Sequence, residues 1–267
     1  MNCVSEVYYR RTNDRKSFIE RILQVFSSKF QNWDNVVFYL NICSNEPYPS
    51  TTHPEVLSKL LSFFRDKNVM IVAGPSVDSV IREEIPSSHP LRLVAKRFGL
   101  DVRNLNLMKT SKVKGKNMTL RLANVGFDDK NIISLTVLRE HKLSKLSCAL
   151  ENQLGFLSVK DKFLLYARVK DFHHTIAEVN LIVKPKFFVV DAIEVLIGAQ
   201  ERRYGGKART LGYMVAGEDP VAIDSFCLEL MKDVSTKLSV LKPSEIKYLR
   251  LAEELGIGST RYVAVEV

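Results

Sequence analysis

Cysteine is scarce and never paired in this sequence. The four residues Cys3, Cys43, Cys148 and Cys227 are scattered over 267 positions. Without a Cys-x-x-Cys spacing they assemble neither a zinc ribbon nor a local iron–sulfur motif, so reduced thiols are expected and an iron–sulfur cluster is not. Long apolar runs are also missing. No stretch approaches the length that spans a bilayer, and the opening MNCVSEVYYRR lacks the basic, apolar and small-residue order of a signal peptide. The expectation is a cytoplasmic protein with no membrane partner, in which the Asn117-Met118-Thr119 sequon carries no glycan. Familiar catalytic signatures are absent too. Gly205-Gly206-Lys207-Ala208 has neither the first glycine spacing nor the magnesium-binding hydroxyl of a P-loop. The adjacent His173 and His174 diverge on a helix and cannot form the one-face pair of a zinc protease. No Gly-x-Ser-x-Gly elbow occurs, so covalent acyl transfer has no support.

What is present is a large apolar fraction, 46%, and a net charge of +9. The first suffices for a real core. The second favours anionic company, whether a phosphorylated metabolite or a nucleic acid. Positive residues concentrate in MKTSKVKGKNMTLR and in ERRYGGKART. Neither stretch interleaves aromatics densely enough for base stacking, so nucleic-acid contact would go to phosphates with little sequence preference. Its carriers would be Lys109, Lys112, Lys114 and Lys116 in the first stretch and Arg202, Arg203, Lys207 and Arg209 in the second.

Hydrophobic periodicity sets out alternating strands and helices. Strands are expected at 4–9, 35–42, 69–74, 131–141, 186–193, 210–217 and 261–267, with a further extended stretch at 101–107. A helix follows the Asn13-Asp14 cap, another carries Val56, Leu57, Leu60, Leu61 and Phe64, and two short helices precede Gly99. About three helical stretches lie between Leu143 and Val183, and two more at 220–232 and 244–255. The segment at about 108–123 has a Gly-Lys-Asn turn between alternating arms and reads as a β-hairpin laid on the main sheet. The fold class is α/β: a mostly parallel sheet with helices on both faces, an antiparallel edge and an inserted hairpin, in one domain over 1–267.

Polar residues gather where strands end. In EPYPSTTHPEVLSKLL, Thr52 has the capping-box spacing to Glu55, with Pro54 in the first turn. Thr51 and His53 stand beside it, where free N–H groups attract anions; an ordinary cap with a surface histidine accounts for them equally. Asn41, His141, Asp191 and Gly217-Glu218-Asp219 each follow or close an apolar run, the position at which open α/β sheets bind ligands. Asp224 has Pro220, Val221, Cys227 and Leu228 as its neighbours three and four residues away. A carboxylate among them needs a partner, either a structural cation or a ligand.

The stretches NEPYPSTTHPEVL, LREHKLSKLSCALENQLGFL, LIVKPKFFVVDAIE and LGYMVAGEDPVAIDSFCLELM, in this order, resemble the domain-of-unknown-function 362 family over about residues 35–258. Several members of that family carry ferredoxin-type clusters, whose cysteines this chain lacks. By the resemblance Thr52, His141, Asn152, Gly155, Asp191, Asp219 and Asp224 fall on motif positions. The family usually has Lys-Pro-Asn where this chain has Tyr39-Leu40-Asn41, a lysine where it has Arg139, and a lysine where it has Glu151. A lysine can serve as base or imine-forming amine and an arginine cannot, so these departures bear on chemistry.

The leading reading is an enzyme-like pocket for a small anionic ligand, with a metal as an option of unspecified identity. His141, Asp191 and Asp224 are the candidate catalytic groups, and Asn41, Thr51, Thr52, His53, Arg139, Asn152 and Asp219 the candidate ligand contacts. Two alternatives stay open: a non-catalytic module gripping RNA or DNA phosphates through the basic hairpin and loop, or a degenerate partner subunit.

Overall fold

Alternation along each apolar run sends successive side chains to opposite faces of a strand, and here both faces are buried. The computed structural model describes residues 4–79, 81–127 and 129–267. Its first elements are β1 (Ser5–Arg11), α1 (Arg15–Val25), α2 (Ser27–Gln31), β2 (Asn35–Leu40), α3 (Pro54–Phe63), β3 (Asn68–Ala73), α4 (Pro90–Arg97) and β4 (Val102–Asn104). A hairpin of β5 (Thr110–Lys114) and β6 (Thr119–Ala123) follows. Then come β7 (Asn131–His141), β8 (Lys145–Ser147), α5 (Ala149–Asn152), α6 (Val159–Tyr166) and α7 (Phe172–Val183). The chain closes with β9 (Phe187–Ile197), β10 (Lys207–Gly217), α8 (Pro220–Met231), α9 (Lys247–Glu254) and β11 (Tyr262–Glu266).

The main sheet has the order β11-β1-β10-β9-β7-β2-β3-β4, with β8 added antiparallel to the end of β7. Along that path only β10 runs against the rest: it pairs antiparallel with β1 and β9, while β9, β7, β2, β3 and β4 are mutually parallel. The fold is therefore mixed α/β around a mostly parallel sheet. Val36, Phe38 and Leu40 of β2 face α1 to α4 in one core, and Val37 and Tyr39 face the other, which α6 to α9 and the hairpin cover. Each fully buried Leu, Ile or Phe contributes roughly 1.5–3 kcal/mol, so two such layers supply the main driving force.

As expected, the hairpin lies on the main sheet, as its own two-stranded sheet packed through Leu120 and Leu122, while two other expectations change. Of the two short helices expected before Gly99, α4 alone forms among the described residues, Val80 lying outside them. Gly99 ends α4 at a φ of +72°, the left-handed conformation that glycine adopts without strain. Finally, β9 and β10 run several residues longer than expected, because each satisfies the other's backbone groups from Lys207↔Ile197 to Gly217↔Phe188 across a bulge. Among the described residues no helix is long and apolar enough to cross a membrane.

Candidate functional site

The order of the strands locates a crevice. From β2 the chain moves outward to β3 and β4, then returns to the other side of β2 as β7 and proceeds to β9. The connections diverge between β2 and β7, and in open α/β sheets such a switch point leaves a cleft beyond the carboxyl ends of the strands. Here that cleft has two adjoining lobes that share Cys43, Ser76, Glu151 and Tyr166. The outer lobe, about 330 Å³, is walled by Arg139, His141, Gln200 and Glu201. The inner lobe, about 40 Å³, is walled by Tyr39, Asn41, Gly74, Asn152, Gly155 and Lys162.

Two glycines make the inner wall. A Cβ on Gly74 would come 2.1 Å from the Gly155 carbonyl oxygen, and one on Gly155 would come 2.0 Å from the Tyr39 hydroxyl. Only bare backbone fits between the end of β3 and the turn after α5. That turn is anchored from below. Tyr39 donates to the Asn152 carbonyl (2.6 Å), and Asn152 and Gln153 both donate to the Ser134 hydroxyl (3.0 and 2.8 Å). Asn41 donates to the Asn152 side-chain oxygen (2.9 Å), which leaves the Asn41 Oδ1 buried without a donor.

Arg139 is the most unusual group in the crevice. It is 1% exposed. Its Nη1 donates to the carbonyls of Ser50 and Gln200 (3.2 and 3.1 Å) and its Nη2 to the Ser147 hydroxyl (3.1 Å). Its Nε has no acceptor, and among the described residues it forms no ion pair. Ser147 passes its own proton on to Glu151 (2.6 Å), whose second oxygen stands 3.7 Å from the His141 Nε2. The His141 Nδ1 accepts the N–H groups of Leu143 and Ser144 (both 3.1 Å), which fixes the ring proton on Nε2. Burial lowers the His141 pKa, with Glu151 opposing and Arg139 reinforcing the shift. Cys43 is half-buried beside Arg139. Burial raises its thiol above the usual range and the guanidinium pulls it back.

Lys162 is a crevice residue that sequence reasoning missed. It is buried at 3% exposure, donating to the Pro75 carbonyl (3.0 Å) and the Asn106 side-chain oxygen (2.7 Å). Burial, with no carboxylate at ion-pair distance among the described residues, pushes its ammonium down to about 7. In the sequence it sits among Lys160 and Asp161 like any charged face of a surface helix, so nothing marks it.

The remaining candidates separate. Asp191 lies on the α1-side face of β9 and is consumed there: Arg15 Nε donates to it at 2.6 Å, with Tyr48 Oη at 2.8 Å and the Ile193 N–H at 3.1 Å. The Arg15 guanidinium also stacks 4.6 Å over the Tyr48 ring, and His53 packs edge-on against the same ring. Asp191 walls neither lobe of the crevice. The expected cap moves by one residue: with Pro54 at the first helical position, His53 Nδ1 accepts the Glu55 N–H (3.3 Å) and caps α3. Thr52 instead donates to the Leu135 carbonyl and accepts from the Asn41 N–H (both 2.9 Å), pinning its loop across β2 and β7. Thr51 donates to the Glu46 carbonyl. Asp219 stands at the other end of the sheet, because β10 is reversed and its Gly217 pairs with Phe188 near the start of β9. There it caps α8 through Val221 and Ala222 and accepts from Ser5 and Ser259.

Asp224 is fully buried behind the crevice. Its carboxylate accepts the N–H groups of Ala149 (2.7 Å) and Leu150 (3.4 Å) and the Tyr248 hydroxyl (3.0 Å). Burial drives its pKa up to about 7, against those hydrogen bonds. It caps the short helix that carries Glu151 and Asn152 and does not reach the cavity. No group of three or more His, Cys, Asp or Glu with metal-holding geometry occurs among the described residues; Cys3 lies outside them.

Of the basic residues considered for nucleic acid, Lys109, Lys112, Lys114 and Lys116 are exposed on the hairpin, whose turn is held by Glu178 through the Lys116 and Asn117 N–H groups (2.8 and 2.6 Å). Arg203 is tied to Glu201 and Asp78, and Arg202, Lys207 and Arg209 are exposed.

No curated protein matches the chain. The family model described as a domain of unknown function (DUF362) matches residues 36–229, well over half of the sequence, from the start of β2 to the last turns of α8. The match stops short of the 258 suggested by sequence resemblance, leaving α9 outside it, and it takes in both strands of the switch point, the α5 turn and Lys162. The chain belongs to the domain of unknown function 362 family.

Proposed function

We propose that the crevice binds a small molecule bearing a carboxylate or phosphate and acts on it, with Arg139 as the anion's anchor. The observation that carries this reading is the state of Arg139: a buried guanidinium facing a cavity, held by neutral acceptors, with its Nε unused and no ion pair among the described residues. Burial works against its charge while Glu151 and Glu201 lie near enough to raise its pKa without ion-pairing with it, and an anionic ligand adds the charge-assisted hydrogen bonding that its Nε lacks. The Asn41 Oδ1, also buried and without a donor, accepts from an N–H or O–H elsewhere on the ligand. His141 with its Nε2 proton and Glu151 form an acid–base pair at the cavity wall. Asp191 and Asp224 act in this reading as supports, the first through Arg15 and Tyr48, the second through α5.

A panel of small anions compared with neutral analogues in thermal denaturation, at constant ionic strength, tests the reading. A cognate anion at 100 times its Kd stabilises by about 2.7 kcal/mol, which shifts the Tm of a chain this size by a few degrees. The shift is expected to vanish in Arg139→Met. Equal shifts for the variant and the wild type would remove Arg139 from the account.

A second reading, phosphate contact by a polynucleotide, is favoured by one observation: the four hairpin lysines are exposed and free of ion pairs among the described residues. It draws nothing from Arg203, whose charge Glu201 and Asp78 already neutralise.

A further inference from the structure

Helix α6 buries Asp161 and Lys162 beside Leu165. Val159 and Phe163 point to solvent at 46% and 64% exposure, while Lys162 between them is 3% exposed. A surface helix normally does the opposite, and an isolated ammonium is expensive to bury. The amine is held by design of its surroundings: Asn106 receives one N–H of Lys162, donates its own amide to the Pro75 carbonyl (3.0 Å), and that carbonyl receives a second N–H. Two of the three ammonium protons are thus directed, and Lys162 lines the inner lobe with Asn41, Cys43 and Gly74. No carboxylate lies within ion-pair distance of it among the described residues. The inner lobe, at about 40 Å³, admits a single functional group and no whole metabolite.

Resting on the anion-binding reading above, we propose that Lys162 is an imine-forming nucleophile, and that the ligand is a small carbonyl compound whose anionic end lies at Arg139 and whose aldehyde or ketone end enters the inner lobe. The Lys162 nitrogen bonds to the carbonyl carbon while one of its protons passes to the oxygen, giving a carbinolamine. The C–O bond then breaks, the second amine proton leaves with the hydroxyl as water, and the C=N bond forms. Amine and carbonyl are converted to imine and water with no oxidant, reductant or further reactant. Once protonated, such an imine draws electrons from the neighbouring carbon, which suits it to proton removal or carbon–carbon cleavage there. Burial prepares the amine for the first step, because an ammonium lowered to about 7 holds a large free-base fraction at neutral pH.

The test labels the full-length wild-type chain at pH 7 with glyoxylate, an anionic aldehyde, in the presence of cyanoborohydride, and maps the reduced adduct by peptide mass spectrometry. Glycolaldehyde serves as the neutral comparison, and Lys160, exposed on the same helix, as the internal reference. Lys162 is expected to be labelled at least about tenfold faster than Lys160, since each pKa unit of depression raises the free-amine fraction about tenfold. Glyoxylate is expected to outpace glycolaldehyde at Lys162, and Arg139→Met to abolish that preference. Labelling of Lys162 no faster than Lys160 overturns the proposal, and anion-induced stabilisation that survives this result leaves the pocket reading standing alone. Rapid Lys162 labelling with no dependence on Arg139 keeps the amine and removes the anchor.

Discussion

Lys162 and Asp224 are buried ionisable groups whose pKa values burial moves toward neutrality from opposite sides, and they tilt stability in opposite directions. Lys162 falls from 10.5 to about 7 on folding, so between those values the unfolded chain binds more protons and stability rises with pH. Asp224 rises from 3.8 to about 7, so its contribution is complete below about pH 4 and is lost as pH climbs through 7. Lys162→Met removes the first arm. The stability of the wild type relative to this variant is expected to increase between pH 7 and pH 10 by up to about 4 kcal/mol, from ~1.4 kcal/mol per unit of pKa, as read by urea denaturation. A difference that stays flat over that range would mean that Lys162 is solvated or paired. The two groups are not equally legible in the sequence. Asp224 is flanked at helical spacing by apolar neighbours, which predicts burial, and the structure supplies three hydrogen-bond donors. Lys162 sits in a run of charges, and only the packing of α6 against the loop after β3 reveals it.

At the scale of elements, α5 is one turn long and has no intrinsic stability, yet it carries two walls of the crevice. Asp224 reaches it from α8 and satisfies its first N–H groups, which no side chain of α5's own cap does. Asp224→Ala strands the Ala149 and Leu150 N–H groups and leaves the Tyr248 hydroxyl only the Leu146 carbonyl at 3.4 Å, and is expected to cost about 2 kcal/mol or more at ~1–3 kcal/mol per unsatisfied group. Hydrogen exchange is expected to accelerate at Ala149 to Gln153 before the rest of the chain; a uniform change across the protein would contradict a local capping role. The start of α3 illustrates the limit of local pattern. Thr-x-x-Glu has capping-box spacing, but the Leu135 carbonyl and the Asn41 N–H compete for the Thr52 hydroxyl, and His53 performs the cap. Only tertiary pairing of β2 with β7 brings that competitor near, so the sequence around Thr52 cannot announce it.

Across the whole molecule, period-two and helical patterns identify nearly every strand and helix, because burial on both faces of the sheet leaves a strong apolar signal. They do not give strand direction. Asp219 and Asn41 both follow apolar strands, yet the reversal of β10 puts them at opposite ends of the sheet. Nor do they give partners: Asp191 follows four apolar residues as an active-site carboxylate would, and Arg15, distant in sequence, neutralises it. What the pattern of strand ends does mark is that Asn41, Arg139 and His141 lie at the same end of the sheet, since β2 and β7 are neighbours and parallel.

An anion located directly in this molecule tests the central claim. Crystals soaked in selenate, examined by anomalous diffraction at the selenium edge, are expected to show a peak in the crevice within hydrogen-bond reach of the Arg139 guanidinium, weakened or absent in Arg139→Met. Peaks confined to the hairpin lysines 109, 112, 114 and 116 or to the 202–209 loop, with none at Arg139, would contradict the anion-binding crevice and favour phosphate contact at the surface.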